Sequence, residues 1–229
     1  MPQPDLVVFD CDGTLVDSEL IAARVDTELL AEAGIHIEVE EFIARYAGLT
    51  FTETVLLVEQ EYKVPLQASI IDRSKTILDQ RLANEVREVE GARAGVLGVK
   101  VAKCVCSNST PERLQAMLGR TGLLPFFGEN VFSARDLPTH KPKPAPDVFL
   151  YAAEKMGADP ARSFALEDSV HGITGARRAG MRVIGFTGGA HSWPGHADAL
   201  TEAGAETVIR RWADLPAVLA ALSEWSEAD

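Results

Sequence analysis

Two kinds of hydrophobic pattern alternate along the 229 residues of the chain. Short, continuous apolar runs are typical of buried strands in a parallel sheet, whereas apolar residues that recur every three or four positions predict helices. The strand-like runs cover residues 6–9, 99–106, 131–133, 162–166, 183–186 and 207–209. Helical patterns separate most of these runs, and this order predicts an α/β fold with a Rossmann-like, doubly wound parallel sheet.

The helical patterns between the first two strand-like runs form one block. They cover residues 17–34, 38–46, 52–62 and 66–84, and no convincing strand pattern interrupts them. Such a block indicates a helical bundle inserted into the α/β domain. We therefore expect a Rossmann-like core made of residues 1–16 and 86–229, and a helical domain made of residues 17–85.

Composition and charge narrow the class of protein. With 46% hydrophobic and 24% charged residues, the chain resembles ordinary globular proteins. It has neither an apolar run of the roughly 18 residues that a membrane span requires nor a signal-peptide pattern, so a cytoplasmic protein is expected. The formal charge of −12 argues against nucleic acid or an acidic membrane as a partner. Cys11, Cys104 and Cys106 lack zinc-like spacing and are expected to be buried thiols.

The strongest chemical signal follows the first strand, where the chain reads Asp-Cys-Asp-Gly-Thr from Asp10 onwards. In an extended chain Asp10 and Asp12 point to the same side, and Gly13 permits a sharp turn. Their carboxylates thus lie at the carboxyl edge of the sheet, where open α/β sheets bind ligands. Ser107 follows the second strand, where a hydroxyl and the next backbone N–H groups can bind phosphate oxygens.

Other polar residues near strand ends have simpler predicted roles. Asp17 or Ser18 is placed to cap the first helix. Ser109 and Thr110 are expected to cap the helix after the second strand, since Ser109 has capping-box spacing to Glu112. Near the end of the chain, histidines 191 and 196 are expected in a surface loop, without the spacing of a ligand pair. Histidine 171 is expected to be structural or exposed.

These stretches resemble the motifs of the haloacid dehalogenase-like hydrolases. The Asp-x-Asp-Gly-Thr string is similar to the nucleophile loop of the family's phosphatases. Lys143 begins a Lys-Pro-x-Pro-Asp-x-Phe pattern similar to the third motif, and the Glu-Asp-Ser sequence at 167–169 resembles the fourth. The resemblance covers nearly the whole chain and looks strongest to sugar phosphatases of the 6-phosphogluconate type. It implies that residues 17–85 form the α-helical cap of this branch.

The resemblance implies a role for each matching residue. Asp10 would be the nucleophile, and Asp12 the general acid and base. Lys143 would pair with both the phosphoryl group and Asp10, and it has the matching downstream spacing that Lys141 lacks. Ser107 and Asn108 would bind phosphate, although Asn108 is also a common turn former.

A metal site is expected among the acids. Asp10, Asp12, Glu167 and Asp168 cannot all stay ionised at close range without a counter-charge. Mg²⁺ suits such a site because it binds carboxylates, water and phosphate oxygens. Following the family pattern, the ligands would be side-chain oxygens of Asp10 and Asp168 and the main-chain carbonyl of Asp12, while Glu167 would be a further ligand or support one.

Three residues of the inserted domain are candidates for contact with substrate. Arg45, Gly48 and Thr50 lie in the stretch that forms a substrate-facing loop in relatives. The same residues also fit an ordinary helix end, with Gly48 as terminator and Thr50 as N-cap of the next helix. The sequence leaves both interpretations open.

The expected activity is therefore Mg²⁺-dependent hydrolysis of a small phosphorylated metabolite, a sugar or sugar-acid phosphate, through an aspartyl-phosphate intermediate. A phosphohexomutase of the β-phosphoglucomutase type is the alternative, but those enzymes place a histidine early in the first cap helix, and residues 19–24 contain none. A dehalogenase would not need Asp12 or Asp168. A non-catalytic phosphoacceptor or sugar-binding protein is a further alternative. Protein partners are left open, and a monomer is compatible with the sequence.

Overall fold

One six-stranded parallel sheet forms the centre of the protein in a computed structural model that describes residues 3–46, 49–66 and 69–225. The order across the sheet is β3-β2-β1-β4-β5-β6, so the first strand is central and the order reverses beside it. The predicted Rossmann-like sheet is thereby confirmed. The strands are β1 (Leu6–Phe9), β2 (Ala102–Ser107), β3 (Val131–Ser133), β4 (Ser163–Glu167), β5 (Arg182–Phe186) and β6 (Thr207–Ile209).

Helices connect the strands and cover both faces of the sheet. The first four after β1 are α1 (Ser18–Glu32), α2 (Val39–Tyr46), α3 (Phe51–Tyr62) and α4 (Ser69–Glu85). The others are α5 (Ala92–Gly98), α6 (Pro111–Thr121), α7 (Asp147–Met156), α8 (Val170–Arg178), α9 (His196–Glu202) and α10 (Leu215–Trp225). Within the described residues, no helix has the length and apolar character needed to cross a bilayer.

Successive side chains of β1 point to opposite faces of the sheet and so belong to two separate layers of the core. Val7 and Phe9 belong to an apolar cluster with residues of α5, α6 and α10. Leu6 and Val8 belong to a second cluster with residues of α7, α8 and α9. All four side chains are buried, as expected for a central strand that is covered on both faces.

Helix α5 was not expected from the sequence. Its short Ala-Arg-Ala-Gly-Val-Leu-Gly stretch contains two glycines, which are poor helix formers. A Cβ atom on Gly95 would lie 2.2 Å from the ring of buried Trp212, so this helix needs a glycine where the indole packs against it. Tertiary packing therefore outweighs local propensity here.

The helices α1 to α4 have an apolar cluster of their own, which includes Val25, Leu30 and Val58. The chain leaves the core and returns to it at one place, because Val16 forms β-bridges with both Asp12 and Glu88. The four helices have their own apolar cluster, and the segments that lead into and out of them lie side by side. Both observations support our proposal that residues 17–85 form a cap domain.

Candidate active site

The carboxyl ends of β1 and β4 bring three acids together. Asp10 follows β1, Glu167 ends β4, and Asp168 comes next. The two strands are paired neighbours, and the Asp10 backbone N–H donates to the carbonyl of Leu166 at 3.0 Å. Each acid offers one oxygen to a group whose members lie within 4.8 Å of one another, and all three residues are buried.

Lys143 supplies the positive charge at this cluster. Its Nζ donates to Asp10 Oδ1 at 2.5 Å, to Glu167 Oε1 at 2.6 Å and to the Cys106 carbonyl at 2.7 Å. Three acceptors match the three N–H bonds of an ammonium group. Lys141 is exposed, so Lys143 is the one of these two lysines that reaches Asp10.

The charges of the cluster shift one another's pKa values. Burial raises the pKa of Asp10 well above its ordinary value, and Lys143 opposes this rise. Burial also raises the pKa of Glu167, to about 7, against the opposing charge of Lys143. For Lys143, burial would lower the pKa, but Asp10 and Glu167 outweigh burial and raise it. Asp10 thus lies beside a cation, while the neighbouring acids disfavour its ionised form.

Asp12 has a different environment, built from hydroxyl groups. Ser18 Oγ donates to Asp12 Oδ1, and Ser107 Oγ and Ser109 Oγ both donate to Asp12 Oδ2, each at 2.9 Å. The three hydroxyls fix the orientation of the Asp12 side chain. Ser107 lies where the sequence placed it, at the carboxyl end of β2, and its phosphate-binding role stays a prediction.

Two capping predictions are wrong for the same reason. Ser109 does not cap α6, because its hydroxyl donates to Asp12, and Thr110 alone caps that helix by accepting from the Arg113 N–H. The N-cap residue of α1, Asp17, makes no side-chain capping bond: its carboxylate accepts the backbone N–H of Ala190 at 2.9 Å, and Ser18 donates to Asp12. In both cases a partner that is distant in sequence, the Asp12 side chain or the Ala190 N–H, engages the group that a local cap would have used.

Asn108 holds the backbone of the catalytic lysine candidate. Its Oδ1 accepts the Lys143 N–H at 2.8 Å, and its Nδ2 donates to the Lys143 carbonyl at 3.3 Å. These bonds fix the loop between β3 and α7 against the end of β2. The prediction that Asn108 binds phosphate remains a prediction beside this observed role.

The loop after β1 passes directly against Asp168. Gly13 has a φ of +77°, and a Cβ atom there would lie 2.0 Å from Asp168 Oδ2. A larger residue would therefore meet both strain and collision. Thr14 Oγ1 donates to Asp168 Oδ1 at 3.3 Å, which completes the contact between the two loops.

Two buried histidines were not recognised from the sequence, which had placed them in a surface loop. His191 Nε2 lies 2.9 Å from Asp168 Oδ2, and His196 Nε2 lies 2.7 Å from the Asp168 main-chain oxygen. Burial would lower the pKa of His191, but its hydrogen bond to Asp168 leads the effects that raise it. The only local signal was the Gly188-Gly189 pair before them, a common loop feature. His171 is exposed, in line with its expected role.

The cap candidates are only partly visible in this structure. Arg45 forms ion pairs with Glu41, at 2.9 Å, and with Glu61, while Gly48 lies outside the described residues. Thr50 is the N-cap of α3 in a complete capping box with Glu53. Their role in substrate binding stays a prediction.

The donor set fits a hard divalent cation. Carboxylate oxygens from Asp10, Glu167 and Asp168 converge; burial raises the pKa values of Asp10 and Glu167, Lys143 opposes the rise, and the neighbouring acids add to it. Mg²⁺ prefers such oxygen ligands. Asp12 is not part of this group, because serine hydroxyls surround its carboxylate.

Comparison with known proteins gives a consistent result. The family model described as haloacid dehalogenase-like hydrolase matches residues 4–180. The chain is 32% identical over 195 residues to the 6-phosphogluconate phosphatase of Escherichia coli K12, which covers 85% of this chain and 87% of that protein.

Two crystal structures share the whole architecture. A haloacid dehalogenase-like protein of unknown function from Agrobacterium tumefaciens has a TM-score of 0.93 and 52% identity, covering 96% of this chain and 99% of the other. A family hydrolase from Deinococcus radiodurans with bound phosphate and sodium has a TM-score of 0.83 and 33% identity, covering 94% and 95%.

Proposed function

Because the chain belongs to the haloacid dehalogenase-like hydrolases and is a phosphatase, we propose that it hydrolyses the phosphate ester of a small sugar or sugar acid. The curated relative described above is a phosphatase of a sugar-acid phosphate, and the Deinococcus hydrolase has phosphate bound. Helix α1 contains no histidine, which favours a hydrolase over a phosphohexomutase.

One observation carries the proposal: Lys143 touches Asp10 at the point where Asp168 also converges. The ammonium group lies 2.5 Å from Asp10 Oδ1, and oxygens of Asp10 and Asp168 belong to the same group within 4.8 Å. A phosphoryl group that approaches Asp10 would meet a cation already in place. Electrostatic stabilisation of this kind supplies most of the rate gain in phosphoryl transfer.

In the first step, a carboxylate oxygen of Asp10 attacks phosphorus and forms an aspartyl phosphate. The bond from phosphorus to the substrate oxygen breaks, and Asp12 gives its proton to the leaving alcohol. In the second step, Asp12 takes a proton from water, which attacks phosphorus and releases phosphate and free Asp10. Hydrogen bonds from Ser18, Ser107 and Ser109 keep the Asp12 carboxylate beside this path.

A divalent cation completes the charge balance of the proposed site. Asp10 and Asp168 would hold it through side-chain oxygens, with the main-chain carbonyl of Asp12 as a further ligand. When bound, Mg²⁺ neutralises the charge of the phosphate oxygens and of the carboxylates. Glu167 is fully buried and accepts from Lys143 at 2.6 Å, so its contact with the lysine is the role that the geometry supports best.

The test is phosphate release by the purified protein from an aryl phosphate and from a panel of sugar, polyol and sugar-acid phosphates. We expect hydrolysis with Mg²⁺, loss of activity with a chelator, and recovery when Mg²⁺ is restored. Absence of phosphate release from every substrate with Mg²⁺ present would contradict the proposal. Conversion of a hexose 1-phosphate to its 6-phosphate, without released phosphate, would instead identify a mutase.

A further inference from the structure

The loop between β5 and α9, residues 187–195, packs against the proposed metal site from the side of β5. Backbone and side-chain contacts fasten it to residues that follow β1: the Ala190 N–H donates to Asp17, and the ring of His191 packs against Gly13. A Cβ atom on Gly13 would lie 2.7 Å from His191 Cε1. The loop therefore lies in direct contact with the nucleophile loop.

His191 is aimed at one particular oxygen. Its side chain is 10% exposed, and Nε2 lies 2.9 Å from Asp168 Oδ2. Within the described part of the chain, Nδ1 is buried and has no hydrogen-bond partner. Since the carboxylate can only accept, the hydrogen on the ring is assigned to Nε2, which donates to Asp168.

His196 fixes the main chain of the same residue. Its Nε2 donates to the Asp168 carbonyl at 2.7 Å, and its Nδ1 accepts from Ser192 Oγ at 2.7 Å. The indole of Trp193 stacks on the imidazole, with ring centroids 3.8 Å apart and planes 16° apart. The loop thus holds Asp168 at two points, the carboxylate and the backbone.

We propose that His191 is a positioning residue for the metal ligand Asp168. Its N–H engages Oδ2 while Thr14 Oγ1 donates to Oδ1, and the two contacts fix the orientation in which the Asp168 carboxylate would meet the cation; this inference rests on the proposed function. Ligating carboxylates are commonly held by such hydrogen bonds, and removal of an outer partner typically weakens metal affinity about 10- to 100-fold. None of the motifs that place Asp10, Lys143 and Asp168 in the family includes His191.

The test compares two amide side chains at one position. In His191→Gln the amide nitrogen can take the place of Nε2 and donate to Asp168, whereas the shorter side chain of His191→Asn cannot reach. His171→Gln, at an exposed position on α8, is the control. Mg²⁺ binding without substrate is measured by isothermal titration calorimetry, and the Mg²⁺ dependence of phosphate release is measured at saturating substrate.

We expect His191→Asn to raise the dissociation constant of Mg²⁺ about tenfold or more, while His191→Gln stays within about threefold of the wild type. At saturating Mg²⁺ the kcat of His191→Asn should recover to within about threefold, because the residue does not touch the reacting atoms. The control should match the wild type. If His191→Asn does not fold, as judged by circular dichroism, His191→Leu replaces it.

Equal Mg²⁺ affinity in His191→Asn and wild type would overturn the inference, as would equal weakening in the Asn and Gln variants. These results differ from a failure of the proposed function. In that case the wild type itself would show neither Mg²⁺ binding nor phosphate release.

Discussion

The sheet edge and the proposed helical cap, residues 17–85, differ in where their ion pairs lie. At the sheet edge Asp10, Lys143 and Glu167 are buried, and Lys143 forms an ion pair with each of the two acids. In the cap, ion pairs such as Arg73–Glu32 lie on the surface, and both side chains are more than half exposed. Buried pairs have a fixed geometry, whereas exposed pairs contribute little and rearrange easily.

This difference indicates that the two regions have different roles in activity. The sheet edge has a rigid set of charges that suits one kind of chemistry, the transfer of a phosphoryl group. The surface of the cap can change its side chains without disturbing a buried network. We therefore expect changes at the sheet edge to alter turnover and stability strongly, and changes in the cap to alter mainly the choice of substrate.

The largest effect is expected from Asp10→Asn. The amide is a poor nucleophile at phosphorus, so kcat should fall at least about 10⁴-fold. The unfolding temperature should change much less than on loss of the lysine, because Lys143 still donates to Glu167 and to the Cys106 carbonyl. Asp26→Asn is the matched control, because Asp26 is also a buried acid but belongs to the cap. Its kcat should stay within about threefold, and substantial residual activity in Asp10→Asn would contradict the nucleophile assignment.

Lys143→Met should destabilise the protein by about 3–5 kcal/mol at pH 8, because Asp10 and Glu167 would remain buried without their counter-charge. Both acids have raised pKa values, so they take up protons more readily in the folded state than in the unfolded state. The loss of stability should therefore be smaller at pH 5. Urea unfolding at both pH values measures it, and Lys141→Met should change the free energy of unfolding by less than about 0.5 kcal/mol. A Lys143→Met penalty that does not depend on pH would argue against this electrostatic origin.

A smaller effect of opposite sign is expected in the cap from Asp26→Asn. Asp26 is buried and accepts only from Ser74 Oγ among the hydrogen bonds observed, at 2.7 Å, and burial raises its pKa to about 7 from 3.8. The folded state therefore binds an extra proton between these values, and the wild type loses stability as the pH rises through that window. The variant should be about 2–4 kcal/mol more stable than the wild type at pH 8, and nearly equal to it at pH 4.

Unfolding curves of the wild type and Asp26→Asn from pH 4 to pH 8 test this expectation. Asp72→Asn, at an exposed position on α4, is the control and should show no comparable trend. Parallel curves for the wild type and Asp26→Asn would show that Asp26 is ionised without cost in the folded cap.

The smallest effect on stability is expected from Arg45→Ala. Its pairs with Glu41 and Glu61 are exposed, so the loss should be less than about 1 kcal/mol. If Arg45 contacts the leaving group, as the sequence suggested, KM should rise several-fold for the preferred sugar phosphate and stay unchanged for an aryl phosphate. Arg73→Ala removes a comparable surface pair and should leave both KM values unchanged. Identical KM values in Arg45→Ala and wild type would remove Arg45 from the substrate site.

The sequence predicted the sheet well because its strands are short apolar runs with clear ends. It also identified Asp10, Lys143 and Asp168 as candidates, since their motifs stand directly at those ends. It could not show that the Ser109 hydroxyl would bind Asp12 instead of capping α6. The helix end is close to Ser109 in sequence, whereas Asp12 is far from it. The same limit applies to His191, whose partner Asp168 lies on another strand end and leaves no local pattern.

Helix α5 shows a further limit of pattern analysis. Its glycine at position 95 weakens the helical signal, yet the ring of Trp212 requires it. A residue far along the chain thus decides whether a local sequence is helical. Local rules describe what a segment prefers, and only the assembled core shows which preferences are overruled.

The central place of β1 also sets an order of events during synthesis on the ribosome. The strand is made first, but its partners begin at Ala102 on one side and at Ser163 on the other. The helices α1 to α4 emerge in between and have an apolar cluster of their own. The apolar strand β1 therefore stays unpaired, and so prone to aggregation, until Ala102 and the residues after it have been made.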